Sequence, residues 1–232
     1  DGRLLKVGEA VDRFYVLENN GIYQSDAEVP VKDGRKMTVN GVELKAGDPK
    51  WVDKNGDNKI TDEDKVLKGH SLPKYTGGFS TQLKFKRFDL GASFFFAAGQ
   101  SAMNYRAYQQ YDFTTLDKGD NLAGVKEIFF WQSGNVPMDY PRYNALSEVH
   151  PYRADQDLYL EKVSYLKLRS VTLGYSVPTA KHSVYVYVSG NNLFTVTNFS
   201  GDDPELVDFD GYYRGYGMGI PRSVTLGVRC SF

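Results

Sequence analysis

One cysteine in 232 residues, Cys230, excludes an internal disulfide. It stands in an apolar register, where a thiol acts as a small hydrophobe rather than a nucleophile. Only three histidines occur, His70, His150 and His182, and all three fall in stretches read as loops or their edges. With no Ser or Cys at a recognisable partner spacing, they build neither a triad nor a zinc set, so the chain is not expected to be an enzyme. Charge of one sign is also lacking: 28 Lys and Arg stand against 29 Asp and Glu, which argues against a nucleic-acid partner. No run of about 18 apolar residues exists, so no transmembrane helix is expected. That leaves a membrane β-barrel open, because alternating strands average out to polar, as the mean hydropathy of −0.46 does here. No signal peptide begins the chain, and Asp1-Gly2-Arg3 reads as the interior of a longer protein.

What is abundant is aromatic: 17 Tyr and 14 Phe. The closing stretch Pro221 to Phe232 alternates without a break. Val224, Leu226, Val228, Cys230 and Phe232 share one face; Ser223, Thr225, Gly227, Arg229 and Ser231 share the other. Period two makes a β-strand with one apolar face. Alternation alone suits a soluble sandwich equally well. An arginine with small hydroxyls on the polar face, and an aromatic at the end, favour the wall of a membrane barrel.

The same pattern appears upstream. Phe79, Thr81, Leu83 and Phe85 alternate with Ser80, Gln82, Lys84 and Lys86. After a tight Lys86-Arg87 connection, Phe88, Leu90, Ala92, Phe94 and Phe96 alternate with Asp89, Gly91 and Ser93. Two strands of about ten residues joined by a very short turn form a membrane-barrel hairpin. From Tyr159 to Val177 a long strand is expected, but Leu166 and Leu168 have one parity while Val171, Leu173 and Tyr175 have the other. A phase change of this kind predicts a bulge near Arg169-Ser170. A return strand from His182 to Asn191 has valines 184, 186 and 188 on one side and Tyr185 and Tyr187 on the other, so both faces are apolar and the lipid side is open.

The amino-terminal part is punctuated differently. Val11 to Leu17 reads as a strand, and Asp33-Gly34 and Asn40-Gly41 each sit between short β-prone runs, predicting one or two small hairpins. The sharpest local motif runs from Asp53 to Asp64. Side-chain oxygens of Asp53, Asn55, Asp57, Thr61 and Asp64 occupy positions 1, 3, 5, 9 and 12 of a twelve-residue loop, and Lys59 at position 7 would offer its carbonyl. This is the ligand spacing of an EF-hand calcium loop. It departs at position 6, where Asn58 replaces the usual glycine, and at position 12, where Asp64 is shorter than the usual glutamate. The alternative is a solvated acidic turn held by Asx hydrogen bonds. A bound Ca2+ would be structural, with the weak affinity of extracellular sites.

Connection lengths give an orientation. The turns at 86–87 and 178–181 are short; the links 18–74, 99–157 and 198–221 are long. Membrane barrels keep short turns periplasmic and long loops extracellular. Residues 25–74 then form an extracellular loop region containing the acidic loop 53–64. Residues 99–157 form a long extracellular loop with a short helix expected at Lys126 to Trp131, and residues 222–232 form the closing strand with Phe232 at the periplasmic side.

Several of these stretches resemble the SusC/RagA family of TonB-dependent outer-membrane transporters. They are Asn192 to Glu205, Tyr165 to Pro178, the run Gly47-Asp48-Pro49-Lys50-Trp51-Val52-Asp53 with its acidic loop, then Gly69, Pro73-Lys74 and Gly77-Gly78-Phe79-Ser80, and the ending Pro221 to Phe232. The resemblance covers nearly the whole chain. It implies an all-β fold, an antiparallel transmembrane β-barrel of about 22 strands with a plugged lumen, of which this chain supplies the last six or so. The plug and the segment that engages TonB have no counterpart here. Two open edges in lipid are not viable, so the remainder of the transporter must complete the wall. The resemblance also implies a SusD-like surface lipoprotein as lid, oligosaccharide or peptide as substrate, and the outer membrane of a Gram-negative cell as the location. The competing reading is a soluble, secreted, calcium-stabilised β-domain that binds glycans.

Overall fold

Five long strands running side by side dominate the computed structural model. It describes residues 4–111, 131–132, 140–142, 147–179 and 183–231. The chain divides into two units, Asp1–Gly69 with Met103–Leu160, and His70–Ala102 with Glu161–Phe232.

The first unit carries short strands in chain order: β1 (Phe14–Val16), β2 (Asn19–Ile22), β3 (Val31–Lys32), β4 (Arg35–Lys36), β5 (Thr38–Val39), β6 (Val42–Glu43), β7 (Pro49–Trp51), β8 (Lys59–Ile60) and β9 (Val66–Lys68). β1 pairs with β9 and β2 with β7, while β3–β4 and β5–β6 are two-residue hairpins. Their turns fall on Asp33-Gly34 and Asn40-Gly41, with φ of 53 and 74° and of 49 and 80°. Two consecutive positive φ values are what a type I′ turn demands, and they explain why Asp-Gly and Asn-Gly mark hairpins in a sequence. Strand 11–17 contracts to Phe14–Val16. A core of Leu17, Tyr23, Val29, Met37, Val39, Leu44, Trp51, Ile60 and Val149 binds these pieces together. The polar groups inside it are paired. Gln156, fully buried, accepts from Trp51 Nε1 at 2.8 Å and donates to the Pro151 carbonyl at 2.8 Å. Buried Asp48 accepts from the Lys45 amide at 2.9 Å and from Arg142 Nε at 3.0 Å.

The long strands are β10 (Tyr75–Phe85), β11 (Phe88–Asn104), β12 (Leu160–Val177), β13 (Ser183–Asn191) and β16 (Ser223–Ser231), in spatial order β10-β11-β12-β13-β16. Two short strands, β14 (Thr195–Thr197) on β12 and β15 (Tyr212–Tyr213) on β11, bring the sheet to seven. Nine to eleven tilted residues cross a bilayer core, which β10, β13 and β16 match. β11 runs past Ala102 to Asn104, six residues into the stretch read as loop, and continues as α1 (Tyr105–Tyr111). Strand pairing there outweighs the polar composition on which the loop reading rested: β15 pairs with β11, and Tyr213 shares a buried cluster with Ala102. Residues 126–130 of the expected short helix, and Phe232, lie outside the described residues.

Candidate functional site: a two-faced wall and its loops

Register decides what each face of the wall presents. In β10–β11, Phe79 pairs with Phe94, Leu83 with Leu90 and Phe85 with Phe88, while Ser80 pairs with Ser93 and Lys84 with Asp89. In β13–β16, Val186 pairs with Val228 and Val188 with Leu226, while Tyr185 pairs with Arg229 and Tyr187 with Gly227. In β12–β13, Leu173 pairs with Val188 and Ser176 with Tyr185. Phe88 meets Tyr175 with ring centroids 4.7 Å apart, which carries the apolar set from β11 to β12. The valines of β13 therefore belong to one continuous apolar face, and its tyrosines to the polar one. The apolar face is exposed at Phe79, Leu83, Phe88, Leu173, Val188, Leu226 and Val228. Cys230, opposite Val184, stands on it as well.

The expected phase change in β12 is present. Tyr165 and Arg169 approach Phe95, at 6.0 Å between rings and 4.9 Å from guanidinium to ring, and Phe95 is on the polar side of β11. Tyr175, of the same parity, meets Phe88 on the apolar side. The strand changes sides between Arg169 and Val171. On the partner side the pairing also slips by one residue, from Ser170 opposite Asn191 to Lys167 opposite Thr195, and Asn192 takes φ 52°. A bulge lets one strand present hydrocarbon at one end and a loop seat at the other.

That loop seat is built on charge. Lys167, 1% exposed, donates to Asp203 at 3.0 Å and Glu205 at 2.6 Å, and Arg169 also pairs with Glu205 at 2.5 Å. Asn198 Oδ1 accepts from the Ser164 amide at 3.0 Å. Ala102, Val163, Phe199 and Tyr213 close over one another beside it. The run Asn198 to Glu205 is thus a strap fastened to β12. Lys167 escaped the sequence reading, because a lysine between two leucines in a strand reads as an exposed polar position; the acids that bury it lie 36 and 38 residues away.

On the polar face, Gln82, Lys84, Asp89, Thr172, Ser176, Tyr185, Tyr187 and Arg229 line a cleft of about 500 Å³. Tyr185 donates to Asp89 at 2.6 Å, across from β13 to β11. The ring lies flat over β12, where a Cβ on Gly174 would stand 1.8 Å from the Tyr185 oxygen. Tyr187 lies over β16 in the same way.

The acidic loop of the first unit is closed by its own side chains. Asp53 accepts from the amides of Gly56 and Asn58 at 2.6 and 2.8 Å, Asn55 from that of Asp57 at 2.9 Å, and Asp57 from that of Lys59 at 2.9 Å. Asp64, fully buried, accepts from the amides of Lys54 and Thr61, both at 2.8 Å. Thr61 caps the 3-10 turn Asp62–Asp64, and Lys59 lies in β8. Asn58 takes φ 65°, the conformation that position 6 of a calcium loop requires. The donors are all oxygen, which suits a hard cation. Among the described residues, however, no group of three His, Cys, Asp or Glu side chains converges as a metal site. The Asx turns that close the loop are present.

Ion pairs surround this loop. Glu18 joins Lys54 at 2.8 Å and Lys68 at 3.3 Å, and Lys68 joins Asp157 at 2.6 Å. Burial pushes the Asp155 carboxyl up, but bonds from Arg153 and Lys65 outweigh it and hold the group at about 2. Burial pushes Asp48 upward despite Arg142.

No protein-family model matches the chain. It is similar to TonB-dependent receptor P3 of Formosa agariphila, 30% identical over 211 residues that cover 88% of this chain and 19% of that receptor. It is similar to TonB-dependent receptor P26 of the same organism at 28% over 244 residues, covering 98% and 23%. It is similar to TonB-dependent receptor SusC of Bacteroides thetaiotaomicron at 25% over 239 residues, covering 98% and 20%. The chain spans about a fifth of the length of these relatives. In fold it resembles the RagAB peptide importer in its open-open and closed-closed states, with TM-scores of 0.68 and 0.67 at 21% and 20% identity, covering all of this chain and 23% and 24% of those chains.

Proposed function

We propose, from the premise that this chain belongs to the SusC/RagA family of TonB-dependent receptors, that it forms barrel wall and extracellular loops of a TonB-dependent importer in the outer membrane. The observation that carries this is the five-strand sheet with a continuous exposed apolar face and a polar face holding Lys84, Asp89 and Arg229. Hydrocarbon outside and a wet lumen inside require that asymmetry. Residues 25–74 and 105–157 are then extracellular loops, and strand 222–232 closes the wall against the remainder of the receptor. The cargo is an oligosaccharide or peptide, a SusD-like lipoprotein is the lid, and TonB drives uptake through a part of the receptor beyond these residues. The names of the relatives describe receptors and importers, which supports transport over catalysis.

We also propose that residues 53–64 take a calcium ion that stiffens the loop, supported by the ligand order and by Asn58. The soluble glycan-binding alternative requires the apolar face to be packed beneath another layer, and the exposure of Phe79, Leu83, Leu226 and Val228 runs against it.

The test is fractionation of the receptor carrying this chain, followed by electrophoresis with and without heating. Retention in the outer-membrane fraction, need of detergent for extraction and heat-modifiable mobility are expected. Recovery as a soluble species without detergent would sink the proposal. Uptake of labelled oligosaccharides and peptides, with and without TonB, then separates the cargo classes.

A further inference from the structure

We propose that Asp155-Gln156-Asp157 is a latch by which the end of the long loop locks the amino-terminal loop region, so that the two order and open as one unit. The tripeptide lies beside the chain where β1 passes into β2. The Leu17 amide donates to the Asp155 carbonyl at 2.9 Å and the Asp157 amide to the Leu17 carbonyl at 3.0 Å, a parallel bridge with Leu17 opposite Gln156. Its side chains then reach different places. Asp155 takes Lys65 at 2.8 Å. Gln156 accepts from the indole of Trp51 at 2.8 Å and from Asn19 Nδ2 at 3.4 Å. Asp157 accepts from the Asn19 backbone amide at 2.9 Å and from Lys68 at 2.6 Å. Val149, from the same loop end, lies in the core with Leu17, Met37, Trp51 and Ile60.

The amino-terminal region needs such a brace. Among the described residues of this unit, the strands fall into four separate small sheets, β1 with β9, β2 with β7, β3 with β4, and β6-β5-β8, and no strand exceeds four residues. Sheets this small are marginal in water unless something packs on them. The latch spans two of them: Lys68 belongs to β9, Asn19 to β2 and Trp51 to β7. The acidic loop 53–64 is framed by Trp51 and Lys65, so both its flanks are held by the latch.

Burial makes the opening cooperative. Leu17 and Gln156 are 0% exposed and Trp51 2%. Withdrawing residues 155–157 would leave the Leu17 amide and carbonyl and the Trp51 indole N–H unpaired inside the core, and a buried polar group without its partner is costly. The latch therefore does not peel away alone; its release opens the core that β5, β7 and β8 share with Val149. A contact made on either loop is felt by the other through this joint.

Hydrogen exchange of the complete receptor in detergent, read by mass spectrometry, tests this. In the unaltered receptor, the amides of residues 147–157 and those of β7, β8 and β9 should lose protection at one urea concentration, while β13 and β16 keep theirs. Separate concentrations for residues 147–157 and for β7 to β9 overturn the latch. Loss in β13 and β16 at that same concentration overturns it too, because the whole chain is then the cooperative unit. The variant Gln156→Leu keeps the bulk of the side chain but leaves the Trp51 indole without its acceptor. Protection of both segments should then fall together, by about tenfold or more. A loss confined to residues 147–157, or no loss, overturns the proposal.

Discussion

Tyr187 lies across Gly227: the two residues are direct cross-strand partners on β13 and β16, and a Cβ on the glycine would stand 2.3 Å from the tyrosine Cζ. The contact leaves room for no side chain. Gly227→Ala should force the ring off its seat at a cost of about 1–3 kcal/mol. The double variant Gly227→Ala with Tyr187→Ser should recover much of the loss. The fraction of receptor reaching heat-modifiable mobility reads both; equal assembly of wild type and Gly227→Ala would show that the ring is free to move.

Facing predicts unequal effects along one strand. Leu226→Arg or Val228→Arg puts charge on the apolar face and should impair assembly by about 2–4 kcal/mol near the membrane midplane. Thr225→Arg, on the polar face, should be milder. Urea titration of the receptor in detergent or lipid compares them, and indistinguishable midpoints would refute the facing.

Lys167 fastens the strap at Asp203 and Glu205. Lys167→Ala leaves two acids without their buried partner, a change of about 3–5 kcal/mol by the usual penalty for breaking a buried pair. The strap from Asn198 to Glu205 should then be cut by protease while the membrane strands remain intact. Lys167→Met with Asp203→Asn and Glu205→Gln should restore part of the resistance. Unaltered cleavage in Lys167→Ala would mean that the aromatic contacts of Phe199 and Tyr213 suffice.

Asp155 supplies a pH dependence. Burial opposes its charge, but Arg153 and Lys65 hold its carboxyl at about 2, below the ordinary 3.8. A depressed acid contributes stability above its unfolded value and loses it as pH falls through the folded one. The contribution, roughly 2 kcal/mol on the usual conversion, is therefore complete above about pH 5 and fades between about pH 4 and 2. Asp155→Asn should remove that window from a protease-resistance profile of the loop unit. A variant with an unchanged acid limb would place the titration elsewhere.

Calcium is separable from the hydrogen bonds that already close the acidic loop. Asp53→Ala with Asp57→Ala should abolish any calcium-dependent rise in the protease resistance of residues 53–64. If the unaltered receptor responds identically to calcium and to chelator, the loop works by Asx turns alone.

The sequence by itself determined what period and turn chemistry can specify. Alternation set the two faces of Phe79 to Phe96 and of Val224 to Cys230. Asp33-Gly34 and Asn40-Gly41 set two hairpins, and the parity clash between Leu168 and Val171 set a bulge. These are local, because a strand's faces follow from its own residues. Only the tertiary structure decided what depends on neighbours. Tyr185 and Val186 are both apolar, and which of them meets hydrocarbon follows from pairing with Arg229 and Val228. Lys167 became interior because acids 36 and 38 residues away close over it. The need for glycine at 174 and 227 appears only where Tyr185 and Tyr187 lie across them. Register and long-range closure join residues that no window of sequence contains, and those joints made a two-faced wall from strands that each had two faces of their own.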